Sequence, residues 1–197
     1  MELVFNRIMK FLLLVLSLFF YTKSYLFSLL LDYPLAKKGV LLIKQKDLLK
    51  KNRIPLSGEW EFYWESLLVP GDQVNEKEKG FFNIPDVWNN KVYKCTKLTG
   101  AGYATFRLIL ILPETNKTYG IYIKNLSSSY NLFFNEKLLL SNGVVGTKES
   151  ISKPFFYPVL GLIENPKYTN EILLQVANFS YYRGGPWNKI FLVKLTV

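Results

Sequence analysis

After residue 52 the apolar and polar positions of the chain alternate with the period of a strand rather than a helix. The clearest case is Glu59–Glu65. Trp60, Phe62 and Trp64 fall on one face, and Glu59, Glu61, Tyr63 and Glu65 on the other. Ser57-Gly58 opens this run and Pro70-Gly71 closes it, so turn chemistry punctuates both ends. Burying three large aromatics on one face stabilises by roughly 1.5–3 kcal/mol each, so a sheet is expected to pack against them. The acidic face is expected to be solvated. Tyr103–Leu112 repeats the pattern, with Ala104, Phe106, Leu108, Leu110 and Leu112 inward, and Glu171–Asn178 does so with Ile172, Leu174 and Val176.

Further strands are expected at Val40–Ile43, Phe81–Ile84, Tyr119–Lys124, Tyr130–Asn135, Leu138–Leu140, Pro154–Val159 and Ile190–Val197. Asp47–Asn52 reads as a short helical or turn segment, and Gly71–Lys79 as a charged surface loop. Asn142-Gly143 is a favoured tight-turn pair after Leu138–Leu140. About eight or nine short strands with no amphipathic helix among them read as an all-β antiparallel sandwich or jelly roll.

The N-terminal region breaks this pattern. Arg7 and Lys10 precede the apolar run Phe11–Tyr21, Thr22-Lys23-Ser24 interrupts, and Tyr25–Leu31 is apolar again. A basic start and an apolar run read as a secretory signal peptide, although Thr22-Lys23-Ser24 is a poor cleavage site. Taken whole, Phe11–Leu31 is long enough for a membrane-crossing signal-anchor helix. Residues 1–31 are therefore expected to be a signal peptide or signal-anchor, 32–38 a linker and 39–197 the β-sandwich. Lys37, Lys38 and the basic residues of 44–53 outnumber Arg7 and Lys10, which by charge alone favours a cytoplasmic domain.

Composition narrows the chemistry. The 197 residues contain no histidine and one cysteine, Cys95, so the usual general base, an internal disulfide and a cysteine metal site are absent. No cofactor or metal is expected. The net charge is +10, but the lysines are scattered and only Arg7, Arg53, Arg107 and Arg183 are arginines. Nucleic-acid surfaces cluster Lys and Arg on one element, so no nucleic-acid partner is expected. Mild attraction to anionic lipid is more compatible with such a surface.

Four places could carry chemistry. Tyr182-Arg183-Gly184-Gly185-Pro186-Trp187 is a glycine pair flanked by aromatics and an arginine. Ring faces stack on the apolar face of a sugar and a guanidinium donates to hydroxyls or anions, so Tyr182, Arg183 and Trp187 are candidate ligand contacts. The bland alternative is a structured turn with Trp187 capping the core. Trp88, in the Pro85–Trp88 turn, is a binding platform or a core plug. Arg107, inside an apolar strand, is a ligand contact or half of a structural ion pair. Glu59, Glu61 and Glu65 share a strand face, and neighbours two apart lie about 7 Å apart, near the spacing of glycosidase carboxylates, but such enzymes take their pair from facing elements.

Several of these residues form an ordered set of motifs. Pro55-Leu56-Ser57-Gly58-Glu59-Trp60-Glu61-Phe62-Tyr63-Trp64 is followed by Pro85-Asp86-Val87-Trp88 and Gly102-Tyr103-Ala104-Thr105-Phe106-Arg107. Then come Tyr130-Asn131-Leu132-Phe133-Phe134-Asn135, with Glu136 where a glycine is expected, and Asn178-Phe179 with Arg183-Gly184-Gly185. This order resembles the N-terminal extracellular domain of bacterial seven-transmembrane receptors with diverse intracellular signalling modules. More distantly it resembles the sugar-binding jelly-roll domain of glycoside hydrolase family 2. The resemblance implies a galactose-binding-like sandwich facing the periplasm, exported or anchored to the inner membrane by its N-terminal helix. The chain ends after the sandwich, without the receptors' seven helices and output module and without the hydrolases' catalytic barrel. The expected function is therefore a non-enzymatic sensor for carbohydrate or a small polar ligand, with a separate membrane signalling protein as a candidate partner. The alternatives are a structural or interaction module without a ligand, and a glycoside hydrolase using Glu59 or Glu61.

Overall fold

A computed structural model of the chain describes residues 9–10, 13–17, 19, 33–126 and 128–195. The chain divides into two units, residues 1–33 and Pro34–Val197. In the first, residues 13–17 are helical and Ser17 Oγ donates to Leu14 O at 2.8 Å. The rest of the expected signal or anchor segment lies outside the described residues. Among the described residues, no helix is long and apolar enough to cross a membrane.

The second unit is a two-sheet β-sandwich. Its strands are β1 (Val40–Leu42), β2 (Arg53–Pro55), β3 (Gly58–Trp64), β4 (Gly80–Ile84), β5 (Val92–Tyr93), β6 (Thr96–Lys97) and β7 (Gly102–Ile111). They continue with β8 (Tyr119–Ile123), β9 (Ser129–Phe134), β10 (Lys137–Asn142), β11 (Val159–Ile163), β12 (Thr169–Asn178) and β13 (Ile190–Lys194). One short helix, α1 (Gln45–Lys50), follows β1. The larger sheet has the order β10-β9-β12-β7-β3-β4, and β1 adds to β7 in parallel. The smaller sheet has the order β11-β8-β13-β2, and β5–β6 is a separate hairpin.

The period-2 reading of the strands accounts for the core. Phe106, Leu108 and Leu110 of β7, Ile172, Leu174 and Val176 of β12, and Tyr119, Ile121 and Ile123 of β8 are all fully buried. They face one another across the gap between the sheets, where apolar area leaves water.

Four local expectations are corrected. The second face of β3 is only partly solvated: Tyr63 and Glu61 are buried, Glu59 is half-buried and Glu65, just past the strand, is exposed. Ser66–Val69 folds over that face: Thr105 Oγ donates to Ser66 O at 2.7 Å, Leu68 N donates to Thr105 Oγ at 3.0 Å, and Gln175 Nε2 donates to Leu68 O at 2.9 Å. Pro154–Val159 is not a strand; β11 begins only at Val159. Pro154 and Pro158 lack amide donors, and Phe155, Phe156 and Tyr157 point outward. The tight hairpin turn is Asn135-Glu136, between β9 and β10, with Asn135 at φ +53. Asn142 instead ends β10, and its side chain is buried and donates to Tyr157 O at 3.0 Å. Finally, the sandwich is not wholly antiparallel, because β1 runs parallel to β7.

Candidate functional site

The loop joining β12 to β13 holds the aromatic–arginine cluster. Its shape is set from below by residues distant in sequence. Trp88 is fully buried, at 5.1 Å edge-on to Trp64 and 6.4 Å in parallel with Phe106. Its Nε1 donates to Gly100 O at 3.1 Å, and its backbone N donates to Gly184 O at 3.0 Å. A Cβ on Gly184 would collide with the Trp88 indole and with Gly100 O, so only glycine permits this approach. Asn89 clamps the loop twice. Its Nδ2 donates to Tyr182 O at 2.8 Å, and its Oδ1 accepts from Gly184 N at 2.8 Å. Asn178 ties the loop's start, donating to Gly100 O and Tyr181 O, both at 2.7 Å, and accepting from Tyr181 N at 3.1 Å.

On this frame the outer side chains are held in a defined array. Tyr182 is 67% exposed and Arg183 is exposed. The Arg183 guanidinium carbon stands 5.2 Å from the Tyr182 ring centre and 5.7 Å from that of Trp187. Tyr181 lies 4.6 Å from Tyr182 and 6.3 Å from Trp187, roughly parallel to the latter. Trp187 is half-buried, and its Nε1 donates to Leu126 O at 2.7 Å. Among the described residues, Arg183 makes no salt bridge. The result is an open platform of ring edges and faces around one cation that no carboxylate of the described residues neutralises.

The structure brings Tyr182, Arg183 and Trp187 together and separates the other two candidates from them. Trp88 offers no ring face to solvent, so its place is in the core beneath the loop. Arg107 lies in a charge cluster on the far face of the larger sheet. Its Nη1 donates to Glu61 Oε2 at 2.9 Å and its Nε to Glu171 Oε1 at 2.6 Å. Tyr63 donates its hydroxyl to the same Glu61 oxygen at 2.9 Å. Burial works against the Arg107 charge, but the bonded carboxylates of Glu171 and Glu61 outweigh it and hold its pKa above the ordinary value. Burial, followed by the Glu61 hydrogen bond, pushes the Tyr63 hydroxyl up. Arg107 is thus held in ion pairs with Glu61 and Glu171. Asn89 escaped sequence reading because its partners lie more than ninety positions away and a lone Asn beside a turn has no pattern.

Both acidic residues of β3 are engaged. Glu61 is bound by Arg107, and Glu59 accepts from Lys38 N at 2.8 Å. A cleft of about 400 Å³ between the β9–β10 turn and the β11–β12 connection contains Glu136 and Glu164. There Glu136 is exposed and paired with Lys167 at 3.3 Å. Its own backbone amide and Lys167 hold its carboxyl below the usual range, opposite to the shift a general acid needs. Among the described residues no group of His, Cys, Asp or Glu is placed to hold a metal. A second cavity of about 200 Å³ lies between β4 and the β5–β6 hairpin.

Known structures share this architecture. The crystal structure of Ruminococcus gnavus β-glucuronidase superposes with a TM-score of 0.53 at 14% identity, covering 84% of this chain and 31% of that one. The same enzyme in complex with D-glucuronic acid gives a TM-score of 0.55 at 13% identity, over 84% of this chain and 32% of that one. The likeness is one of fold. These neighbours are β-glucuronidases, and this chain spans about a third of their length. No protein-family model matches the chain, and no curated protein matches it.

Proposed function

We propose that this chain is a non-catalytic ligand-binding domain that recognises a carbohydrate or a small polar ligand on the Tyr182–Arg183–Trp187 platform. The observation that carries this is Arg183, held over two aromatic rings without a carboxylate partner among the described residues. A sugar offers an apolar face to the rings and hydroxyls to the guanidinium. A carboxylated sugar adds an anion that the guanidinium fork grips in two places. That a structural neighbour of similar fold was solved with D-glucuronic acid supports testing uronic acids first.

The five ordered motifs support reading the domain as a sensor of the receptor type, passing occupancy to a separate membrane protein. The basic start and apolar Phe11–Leu31 support export, with the domain periplasmic or held at the inner membrane. A second reading, an interaction module, draws on one observation. Phe155, Phe156 and Tyr157 are 56%, 58% and 60% exposed in succession, a strip of aromatic surface that a protein partner would cover.

The test is calorimetric titration of the full chain with D-glucuronic acid, D-galacturonic acid, D-glucose and D-galactose, beside Arg183→Gln and Trp187→Ala. Saturable binding that both variants weaken tenfold or more, with melting temperatures unchanged, supports the platform. Absence of binding to every compound, or binding that neither variant alters, refutes it.

A further inference from the structure

The cavity between β4 and the β5–β6 hairpin lies apart from the platform and has a different chemical character. Phe62, Phe82 and Leu98, each under a tenth exposed, line it. The Tyr93 ring forms one wall, edge-on to Phe62 at 5.1 Å, with its hydroxyl donating to Glu78 O. Gly80 leaves room for this: a Cβ there would strike the Tyr93 ring. Asp86 and Lys91 supply its charged groups, paired at 2.6 Å and 36% and 49% exposed. A pair so wet contributes little to stability, so stability does not account for its position. The shape is preformed, because Lys91 is fixed by its N–H to Trp88 O at 3.0 Å and its carbonyl to Leu98 N at 2.8 Å.

We propose that this cavity is a second binding site, for one neutral sugar ring. Its volume of about 200 Å³ matches roughly seven waters of liquid, room for one six-membered ring with its hydroxyls. The Tyr93 wall and the Phe81 ring, 43% exposed, take the apolar ring face, the Asp86 carboxylate accepts from hydroxyls and the Lys91 ammonium donates to them. The two charges cancel, so the site selects against a net anion, whereas the Arg183 platform favours one. The inference does not rest on the platform reading. The two sites share a support, since Asp86 N donates to Pro186 O at 3.2 Å while Trp88 N holds Gly184 O.

The experiment uses the full chain, with the methyl glycosides of glucose, galactose, mannose and N-acetylglucosamine as probes, read by saturation-transfer NMR and by melting temperature. Asp86→Asn and Lys91→Met test the cavity, and Trp187→Ala tests the platform. Asp86→Asn keeps the oxygen that accepts from Val87 N at 2.7 Å, so the turn is retained. At least one glycoside is expected to bind, with affinity falling tenfold or more in Asp86→Asn and Lys91→Met and unchanged in Trp187→Ala. Lys91 acetylation by a soluble acylating reagent should slow severalfold when that glycoside is bound. Failure of every glycoside to bind overturns the proposal. So does binding lost only in Trp187→Ala, or a Lys91 whose acylation ignores the bound sugar.

Discussion

Replacing Arg107 with methionine should destabilise the sandwich without touching the ligand platform. The guanidinium makes two charge-assisted hydrogen bonds, 2.9 Å to Glu61 and 2.6 Å to Glu171. Each such bond is worth roughly 1.5–3 kcal/mol when dry. The side chains are 25%, 11% and 28% exposed for Arg107, Glu61 and Glu171, so solvent screens part of this, mostly at Glu171. Methionine keeps the apolar stem, which isolates the charge. Glu61 is then left near-buried with only the Tyr63 hydroxyl and Lys79 at 4.0 Å. Removing one partner of a fully buried pair costs about 3–5 kcal/mol, so about 2–3 kcal/mol is expected here. In a domain of this size that lowers the melting temperature by roughly 5–10 °C. Urea unfolding of the wild type, Arg107→Met, Glu61→Gln and the double variant measures both the loss and the coupling. The double variant should lose clearly less than the sum of the singles. A loss below about 1 kcal/mol with additive singles would refute the view of this cluster as a structural pin and return Arg107 to the candidates for ligand contact.

Four further outcomes follow from the same contacts. Gly184→Ala must displace the Trp88 indole or Gly100 and should cost several kcal/mol, about 3 or more, whereas Gly71→Ala, with open space around its Cβ at φ +92, should cost about 1; thermal melts of the two variants decide. Trp88→Ala should cost about 3–5 kcal/mol by opening the core, while Trp187→Ala, half-buried, should cost less and act on binding; a Trp88→Ala variant of normal stability would contradict the buried position. Glu114, held below the usual range first by the Gln45 amide and then by Lys194 at 3.2 Å, has a lowered folded pKa, so its stabilisation is complete above the ordinary carboxylate range and lost as pH falls through the lowered value; Lys194→Met should flatten the acid limb of a melting-temperature profile. Burial raises Tyr63 and Tyr130 and pushes Tyr119 up to about 12, so their contribution is intact below the ordinary phenol value near pH 10 and is lost as pH rises from there through the raised folded values; absorbance at 295 nm should show these phenols ionising after the others, and a single ionisation step near pH 10 in the folded protein would count against it.

Much of the sandwich was legible because its strands are long enough to show their period. The inward sets of β7 and β12 follow directly from alternation, and both are fully buried. Alternation was silent about what covers a strand's other face. Glu61 and Tyr63 read as solvated, yet the Ser66–Val69 crossing and Arg107 enclose them, contacts made across about forty positions of sequence. Phe155-Phe156-Tyr157 misled in the opposite sense. Aromatic content suggested a strand, but flanking prolines and the Asn142 bond to Tyr157 O fix an irregular segment. Of the candidate site, the cluster of Tyr182, Arg183 and Trp187 was readable because its members are neighbours in sequence. The cavity of Asp86, Lys91 and Tyr93 was not, because its floor comes from β3 and β4.

The motifs that carry the family resemblance divide by location, and this bears on what the resemblance can imply. Trp60 donates its Nε1 to Leu56 O at 3.1 Å inside the core, and Gly102 leaves space for the Trp64 ring. Thr105 pins the Ser66–Val69 crossing, Arg107 ties β3 to β12, and Asn178 with Trp88 and Gly184 shapes the last loop. Every one of these side chains points into the frame. Tyr182, Trp187, Asp86 and Lys91, which face solvent or a cavity, stand beside the motif residues or at their variable positions; Arg183 is the exception, a motif residue that is exposed. A resemblance built mostly on frame residues argues first for a similar scaffold and, Arg183 apart, carries little about the ligand, since function on a common fold resides in the side chains grafted onto it. The fold likeness at 14% identity has the same content. The two proposals differ in one arginine without a carboxylate partner among the described residues, proposed to read a uronic acid, against one compensated Asp–Lys pair, proposed to read a neutral sugar. Arg183→Gln and Asp86→Asn are therefore expected to change ligand preference in opposite directions while leaving the frame intact.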